Sequence, residues 1–264
     1  MPHNKHCTMK EPIRVFSDLH LGHPASRITD VEQLRPLLQG AATAIFNGDT
    51  WQELAPTMRV RGAQLLADLH ALCAELGVEP YFLPGNHDPS ISEQSMISLD
   101  EGRIIIFHGH IIYPEVSPWS RYYLAHENEV QAYLAAHLRP DLTIDERTVL
   151  AHEVVALMTP RPGSHLLRRP KRLTYFLNTL WPPRRLATLI RTHLRAKHDT
   201  YAFCQAHFPT ARHIITGHFH RCLHLQRQEV TIHNTGAFMA GCQSCYLEIN
   251  KGNIINEKTI KKSK

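Results

Sequence analysis

Five short clusters of metal-binding and proton-transferring side chains punctuate the 264-residue chain. They are Asp18-Leu19-His20, Gly48-Asp49, Gly85-Asn86-His87-Asp88, His108-Gly109-His110 and Gly217-His218-Phe219-His220. Carboxylate, imidazole and amide oxygen are donors that suit Mn, Fe or Zn, and there are enough of them for two ions. Asp18 and His20 stand two apart, as do His218 and His220, so in an extended chain each pair projects to one side. Glycines beside the donors let the backbone turn and approach closely. Any one cluster is a weak signal, because a DxH triplet arises by chance and a GD pair is commonly a turn. The ordered set is a strong one. The chemistry it suggests is hydrolysis at a dinuclear centre, where two close cations lower the pKa of a shared water and stabilise an in-line transition state.

Such residues need elements to hold them at one place. Residues 13–17 read as a strand running into Asp18, 31–40 as a helix with Asp30 as its cap, and 41–47 as a strand arriving at Gly48. Residues 59–76 have helical period and stop at Gly77; 78–83 and 103–107 read as strands that end on the third and fourth clusters. Strand and helix alternate, which predicts a layered α/β core with ligands gathered beyond the strand ends. Residues 117–200 differ, with helical stretches near 120–137, 143–158, 171–180 and 184–197 broken by prolines. After His220, the segments CLHLQ, EVTIHN and SCYLEIN predict antiparallel strands. The organisation expected is a single domain over 1–264, interrupted by a helical insertion over 117–200.

The whole chain is 43% hydrophobic, enough to build a core and against disorder. Its formal charge of +5 favours anionic partners without choosing among them. The N-terminus is polar and no apolar run approaches a membrane span, so a cytoplasmic chain with reduced thiols is expected. Cys242-Gln-Ser-Cys245 has CxxC spacing with no second pair beside it, and ordinary thiols are the expectation.

The ordered set resembles the calcineurin-like metallophosphoesterase superfamily, on DLH at 18–20, GD at 48–49, GNHD at 85–88, HGH at 108–110 and GHFH at 217–220. The resemblance covers residues 13–110 and 210–250. It implies a four-layer α-β-β-α sandwich, two packed sheets flanked by helices, carrying the helical insertion. It implies that Asp18, His20 and His220 hold a first metal, that Asn86, His108 and His218 hold a second, and that Asp49 bridges them. It further implies that His87 contacts the substrate phosphate and assists the leaving group, with Asp88 orienting His87, while a metal-bound hydroxide attacks phosphorus. His110 is a candidate substrate contact, with packing as its alternative. Asn234-Thr235-Gly236 resembles the family's loop after its GHxH element. The cofactors implied are two divalent ions, Mn2+ first, with Fe, Zn2+ or Mg2+ as alternatives. A non-catalytic, metal-bound interaction scaffold on the same fold is the reading from a different class.

The insertion is where substrate choice would lie. From residue 154 to 198 there is no Asp or Glu, while Arg161, Arg168, Arg169, Lys171, Arg172, Arg184, Arg185, Arg191, Arg195 and Lys197 are all basic. Leucines and aromatics lie between them. A solvated basic face, a lid or peripheral membrane contact on anionic lipid, and a nucleotide or nucleic-acid face all fit this pattern. Arg168, Arg169 and Arg172 are candidate substrate contacts. A helical insertion here, together with DLHLG at 18–22, is similar to UDP-2,3-diacylglucosamine pyrophosphatases, which implies a lipid-precursor pyrophosphate; a nucleotide or nucleic-acid phosphodiesterase is the alternative.

Overall fold

In the computed structural model, residues 9–159 and 183–259 are described. The chain divides into two compact units at Gly109/His110 and at Phe203/Cys204. The first unit is built on two five-stranded sheets. One has the order β10-β9-β1-β2-β3, with β1 Ile13–Phe16, β2 Thr43–Asn47, β3 Glu79–Leu83, β9 Cys245–Asn250 and β10 Asn253–Thr259. The other has the order β4-β5-β6-β8-β7, with β4 Ile97–Leu99, β5 Ile104–Ile106, β6 His213–Thr216, β7 Cys222–Arg227 and β8 Val230–Thr235. In each sheet three strands run parallel, β1-β2-β3 and β5-β6-β8, so their C-terminal ends open on one side. Antiparallel strands complete the edges.

Side-chain alternation explains why the sheets stack. Ile13, Val15, Ile45, Leu247 and Ile249 of the first sheet share a core with Ile97, Ile104, Ile106 and Ile215 of the second. The residues between them point the other way: Phe16, Ala44, Phe46 and Tyr246 pack with Leu65, Leu69, Leu72 and Cys73 of helix α2, Pro56–Leu76. The buried positions of α2 recur at three- and four-residue spacing, one face of a 3.6-residue period. Pro56 opens it, where a missing N–H costs nothing, and Gly77 closes it in the left-handed region at φ 68°. The result is the expected α/β sandwich of two sheets flanked by helices, with a helical insertion.

Three local expectations are corrected. The helix expected over 31–40 is a 3-10 turn, Val31–Leu34, followed by a single α-turn, α1, Arg35–Leu38. Asp30 does cap it, through a capping box with Gln33, but the chain leaves helical geometry at Gln39, before Gly40. The strands after His220 do not form one antiparallel run. β7 and β8 are antiparallel, yet β8 lies parallel to β6, and β9 crosses to the other sheet after the turn at Gly236. β4, three residues long, has too little pattern to be foreseen.

In the second unit, α3, Arg121–His137, starts at the Ser120 cap. α4, Ile144–Met158, starts at a capping box formed by Thr143 and Glu146. Tyr123, Val130 and Leu134 of α3 and Leu150, Ala151, Val154, Val155 and Met158 of α4 are buried. α5, Pro183–His207, runs well beyond the expected 184–197. Among the described residues no helix is long and apolar enough to cross a membrane. The helix expected near 171–180, with Arg161, Arg168, Arg169, Lys171 and Arg172, lies outside the described residues.

Candidate metal centre

The parallel strands deliver their terminal residues to one place. Asp18 and His20 follow β1, and their backbones continue its pairing: Asp18 N–H donates to Gly48 O (3.1 Å) and His20 N–H to Asp49 O (2.9 Å). Asn86, His87 and Asp88 follow β3, His108 follows β5, and His218 and His220 follow β6. Asp18, His20, Asp49, His218 and His220 all hold φ between 49° and 70°. That left-handed region costs a residue with a side chain roughly 1 kcal/mol or more. Five such residues in one basin mark backbone bent to aim side chains.

What is aimed there is a converging donor set. The ligand atoms of Asp18, His20, Asp49 and His220 lie within 4.8 Å of one another, and so do those of Asp49, His108 and His218. Asp49 is common to both groups. Its Oδ2 lies 3.8 Å from His20 Nε2, 3.4 Å from His108 Nε2 and 4.0 Å from His87 Nε2. His220 Nε2 lies 3.2 Å from Asp18 Oδ1 and 3.1 Å from His20 Nε2. Asn86 Oδ1 is buried and has no hydrogen-bond partner. A buried carbonyl oxygen left over in this way costs free energy unless a cation or donor meets it. Carboxylate, imidazole and amide donors, with one carboxylate shared, fit two adjoining divalent ions.

The charges of the basin depend on one another. Burial alone would raise the Asp49 carboxyl, but His108, His87 and His20 hold it well below its usual range. Asp18 is also held low, against its burial, by His108 and His220. Burial would lower His108, yet Asp49 and Asp18 raise it to about 9; Asp18 likewise overrides burial and raises His220 to about 10. Burial dominates at His20, pushed well down, and at His218, pushed to about 3, so these rings keep their lone pairs. Two anionic carboxylates thus stand beside two neutral imidazoles, His20 and His218, and two that hold protons, His108 and His220, positive charge drawn in where cations would sit.

The remaining residues hold the donors still. His108 Nδ1 lies 2.8 Å from the Asn47 carbonyl, so the proton sits on Nδ1 and Nε2 faces Asp49. The Gln52 side-chain Nε2 donates to His20 Nδ1 at 2.8 Å and holds the orientation of that ring. Gln52 went unnoticed in the sequence, although it stands three residues past Asp49. The Asp88 carboxylate accepts from the backbone N–H groups of Asp49, Thr50, Trp51 and Gly85. It thereby ties the loop after β2 to the loop after β3. Gly85 and Gly217 are needed for close approach, since a Cβ at either would collide with the carboxylate of Asp49 or Asp18. Asn234 Nδ2 donates to Gly217 O, which anchors the turn before His218.

No family model matches the chain, and no curated protein matches it. Among solved structures, it is similar to a dimetal phosphatase from Danio rerio at 10% identity and a TM-score of 0.45, covering 96% of this chain and 100% of that one. It is similar to a cold-active protein-tyrosine phosphatase of a psychrophilic Shewanella at 13% identity and TM-score 0.38, covering 94% and 80%. It is also similar to Vps29 of Entamoeba histolytica, solved with Zn2+, at 13% identity and TM-score 0.38, covering 94% and 97%.

Two residues of the centre stand toward solvent. The side chain of His87 is 43% exposed and that of His220 34%, against 2% or less for His20, Asp18, Asp49 and His108. His110 belongs to the second unit, where it is buried and stacks on His152 with ring centroids 5.7 Å apart. Arg168, Arg169 and Arg172 lie outside the described residues.

Proposed function

We propose that the chain is a dinuclear-metal-dependent phosphoesterase that hydrolyses a phosphate ester or pyrophosphate. The observation that carries this reading is Asp49, one buried carboxylate shared by two groups of converging donors. Asp18, His20 and His220 would hold one ion, Asn86, His108 and His218 the other, and Asp49 both. We take the ions to be Mn2+ first, with Fe, Zn2+ or Mg2+ as alternatives that the same donors accept. Bound there, the two cations supply Lewis acidity and an acidified water.

The chain's own residues do the rest. Asp49 fixes how far apart the two donor groups stand. The Asn47 carbonyl keeps His108 in the tautomer that presents Nε2, and Gln52 fixes the ring of His20. His87 stands at the exposed rim, its Nε2 4.0 Å from Asp49 Oδ2, where a phosphate ester entering from solvent places its leaving oxygen. A proton or positive charge on that imidazole stabilises the oxygen as it departs. Asp88 positions His87 indirectly, by fixing the loops that carry it.

A second reading concerns where the substrate comes from. On α5, Ile190 is 51% and Leu194 75% exposed, with Arg184, Arg191 and Arg195 exposed on the same helix. Apolar residues among arginines suit contact with anionic lipid, which supports an anionic lipid precursor over a free nucleotide. The deciding assay is turnover of a chromogenic phosphodiester by the full chain with added Mn2+, beside the same protein stripped by chelation. Metal-dependent turnover is expected. Undiminished turnover after stripping removes the proposal, and tight metal binding without turnover on any phosphoester or pyrophosphate favours the scaffold.

A further inference from the structure

The loop after β3 runs outward just beyond His87. Asp88 is buried, Pro89 half-buried and Ser90 exposed, and Ile91 N–H closes the turn on Asp88 O at 3.2 Å. A turn at the surface has little apolar packing to fix it, so its position depends on hydrogen bonds from its neighbours. Here the neighbour is the loop after β2. Glu53 N–H donates to His87 O at 3.1 Å, and Leu54 N–H donates to the same oxygen at 3.4 Å. The Glu53 side chain then reaches on to Ser90. Its Oε2 accepts from Ser90 N–H at 3.1 Å, and its Oε1 accepts from Ser90 Oγ. One residue therefore grips the chain on both sides of Asp88.

Three carboxylates fasten these two loops together, at different depths. His87 N–H donates to Asp49 Oδ1 at 2.8 Å, and Asp88 takes backbone N–H groups of both loops. Asp49 and Asp88 are buried and hold the inner end. Glu53 is half-buried and holds the outer end, where the chain turns at Ser90. Its neighbour Gln52 reaches inward to His20, so adjacent residues serve the two ends. Hydrogen bonds to a carboxylate are stronger than neutral ones, and two of them on one carboxylate fix direction as well as distance. What they fix here is the backbone that carries the His87 ring, whose Nε2 stands 4.0 Å from Asp49 Oδ2. A displacement of about 1 Å in a reacting group can cost about 10²-fold in rate.

We propose that Glu53 is a positioning residue: by clamping His87 O with its backbone and Ser90 with its carboxylate, it holds the exposed imidazole of His87 at the mouth of the metal centre. Its consequence for rate rests on the phosphoesterase reading; the clamp itself does not.

The test is a double-mutant cycle on the full chain with Mn2+ and a chromogenic phosphodiester. Glu53→Ala is expected to lower kcat about 10- to 100-fold while KM and bound metal stay within about twofold. Glu53→Gln, which still offers Ser90 an oxygen, should recover kcat to within about threefold. In a His87→Ala background, Glu53→Ala should change kcat by less than about twofold, because the group it positions is gone. A loss of equal size in both backgrounds overturns the proposal, as does a kcat loss that follows metal loss, or no loss in Glu53→Ala. A second readout needs no turnover: the ring signals of His87 in NMR spectra, assigned by their disappearance in His87→Ala. They should be single and sharp in the unsubstituted chain and in Glu53→Gln, and broadened or split in Glu53→Ala. Unchanged signals in Glu53→Ala overturn the clamp. Absence of metal-dependent turnover in the unsubstituted chain would remove the phosphoesterase reading, and the NMR outcome would still decide whether Glu53 holds His87.

Discussion

The strand-end loops of the first unit and the helices of the second spend their polar groups in opposite ways. Around Asp49 the carboxylates and imidazoles are buried, the backbone is held in costly conformations, and the donors converge on positions a cation would fill. On α3 to α5 the charges lie at the surface in pairs such as Arg184–Glu127, and α3 and α4 start at ordinary caps. Local rules are broken at one place in the first region, whereas in the second the departures, Val116 at φ 61° and the kink of α3 at His126, are scattered. A protein tolerates several strained residues and an unmatched buried amide oxygen where chemistry needs them, so the contrast supports placing the proposed reaction at the loops. Each experiment below strains that assignment at a different point.

The largest effect is expected from Asp49→Ala, which removes the only carboxylate common to both donor groups. Two-metal stabilisation is worth several kcal/mol, so turnover should fall by about three orders of magnitude or more. Metal analysis and steady-state rates on one preparation check this together. If turnover stays within tenfold of the unsubstituted chain, the centre is not where the reaction occurs.

Next is His87→Ala. His87 belongs to neither donor group and stands at the rim, and its hydrogen bond to Asp49 Oδ1 comes from the backbone N–H, which an alanine keeps, so the variant should keep most of its metal while turnover drops about 10²-fold or more. Loss of metal in step with rate would instead make His87 part of the binding set, and a rate that stays the same would take the leaving-group role away from it.

These two experiments act on residues that the sequence already singles out, and the reason is physical. Each donor cluster ends an apolar run, so the α/β layering that places strand ends together can be read from patterning. The glycines beside Asp49 and Asp18 show where a Cβ cannot fit. Gln52 could not be found in that way, because one buried glutamine carries no periodic signal and its contact with His20 depends on the loop's path. The hydrogen-bond partners of Asp88 were not legible, since a carboxylate that binds four backbone amides looks in sequence like one that binds a side chain. The crossing of β9 to the other sheet was hidden for a related reason. Strand period identifies a strand and is silent on its partner.

Gln52→Ala tests the layer of residues that sequence misses. Removing the partner of a ligating imidazole typically weakens metal binding 10- to 100-fold. We expect a loss of that size, about 1–3 kcal/mol, read as a shift in the metal concentration that restores half-maximal rate. The rate at saturating metal should change much less. A lower saturated rate with unchanged metal affinity would move Gln52 from holding His20 to some later step.

The smallest effect should come from the second unit. Arg184 Nη2 lies 2.6 Å from Glu127 Oε2, a short contact, but the side chains are 58% and 34% exposed. Water and salt screen such a pair, and holding two long side chains in one geometry costs entropy. Arg184→Ala should therefore cost no more than about 0.5 kcal/mol in urea unfolding and should leave soluble-substrate turnover unchanged. Repeating the unfolding in high salt should shrink even that difference. A cost above about 2 kcal/mol, or a tenfold loss of turnover on a soluble phosphodiester, would show that a surface charge of the insertion serves the reaction directly, and the division of labour between loops and helices would fail.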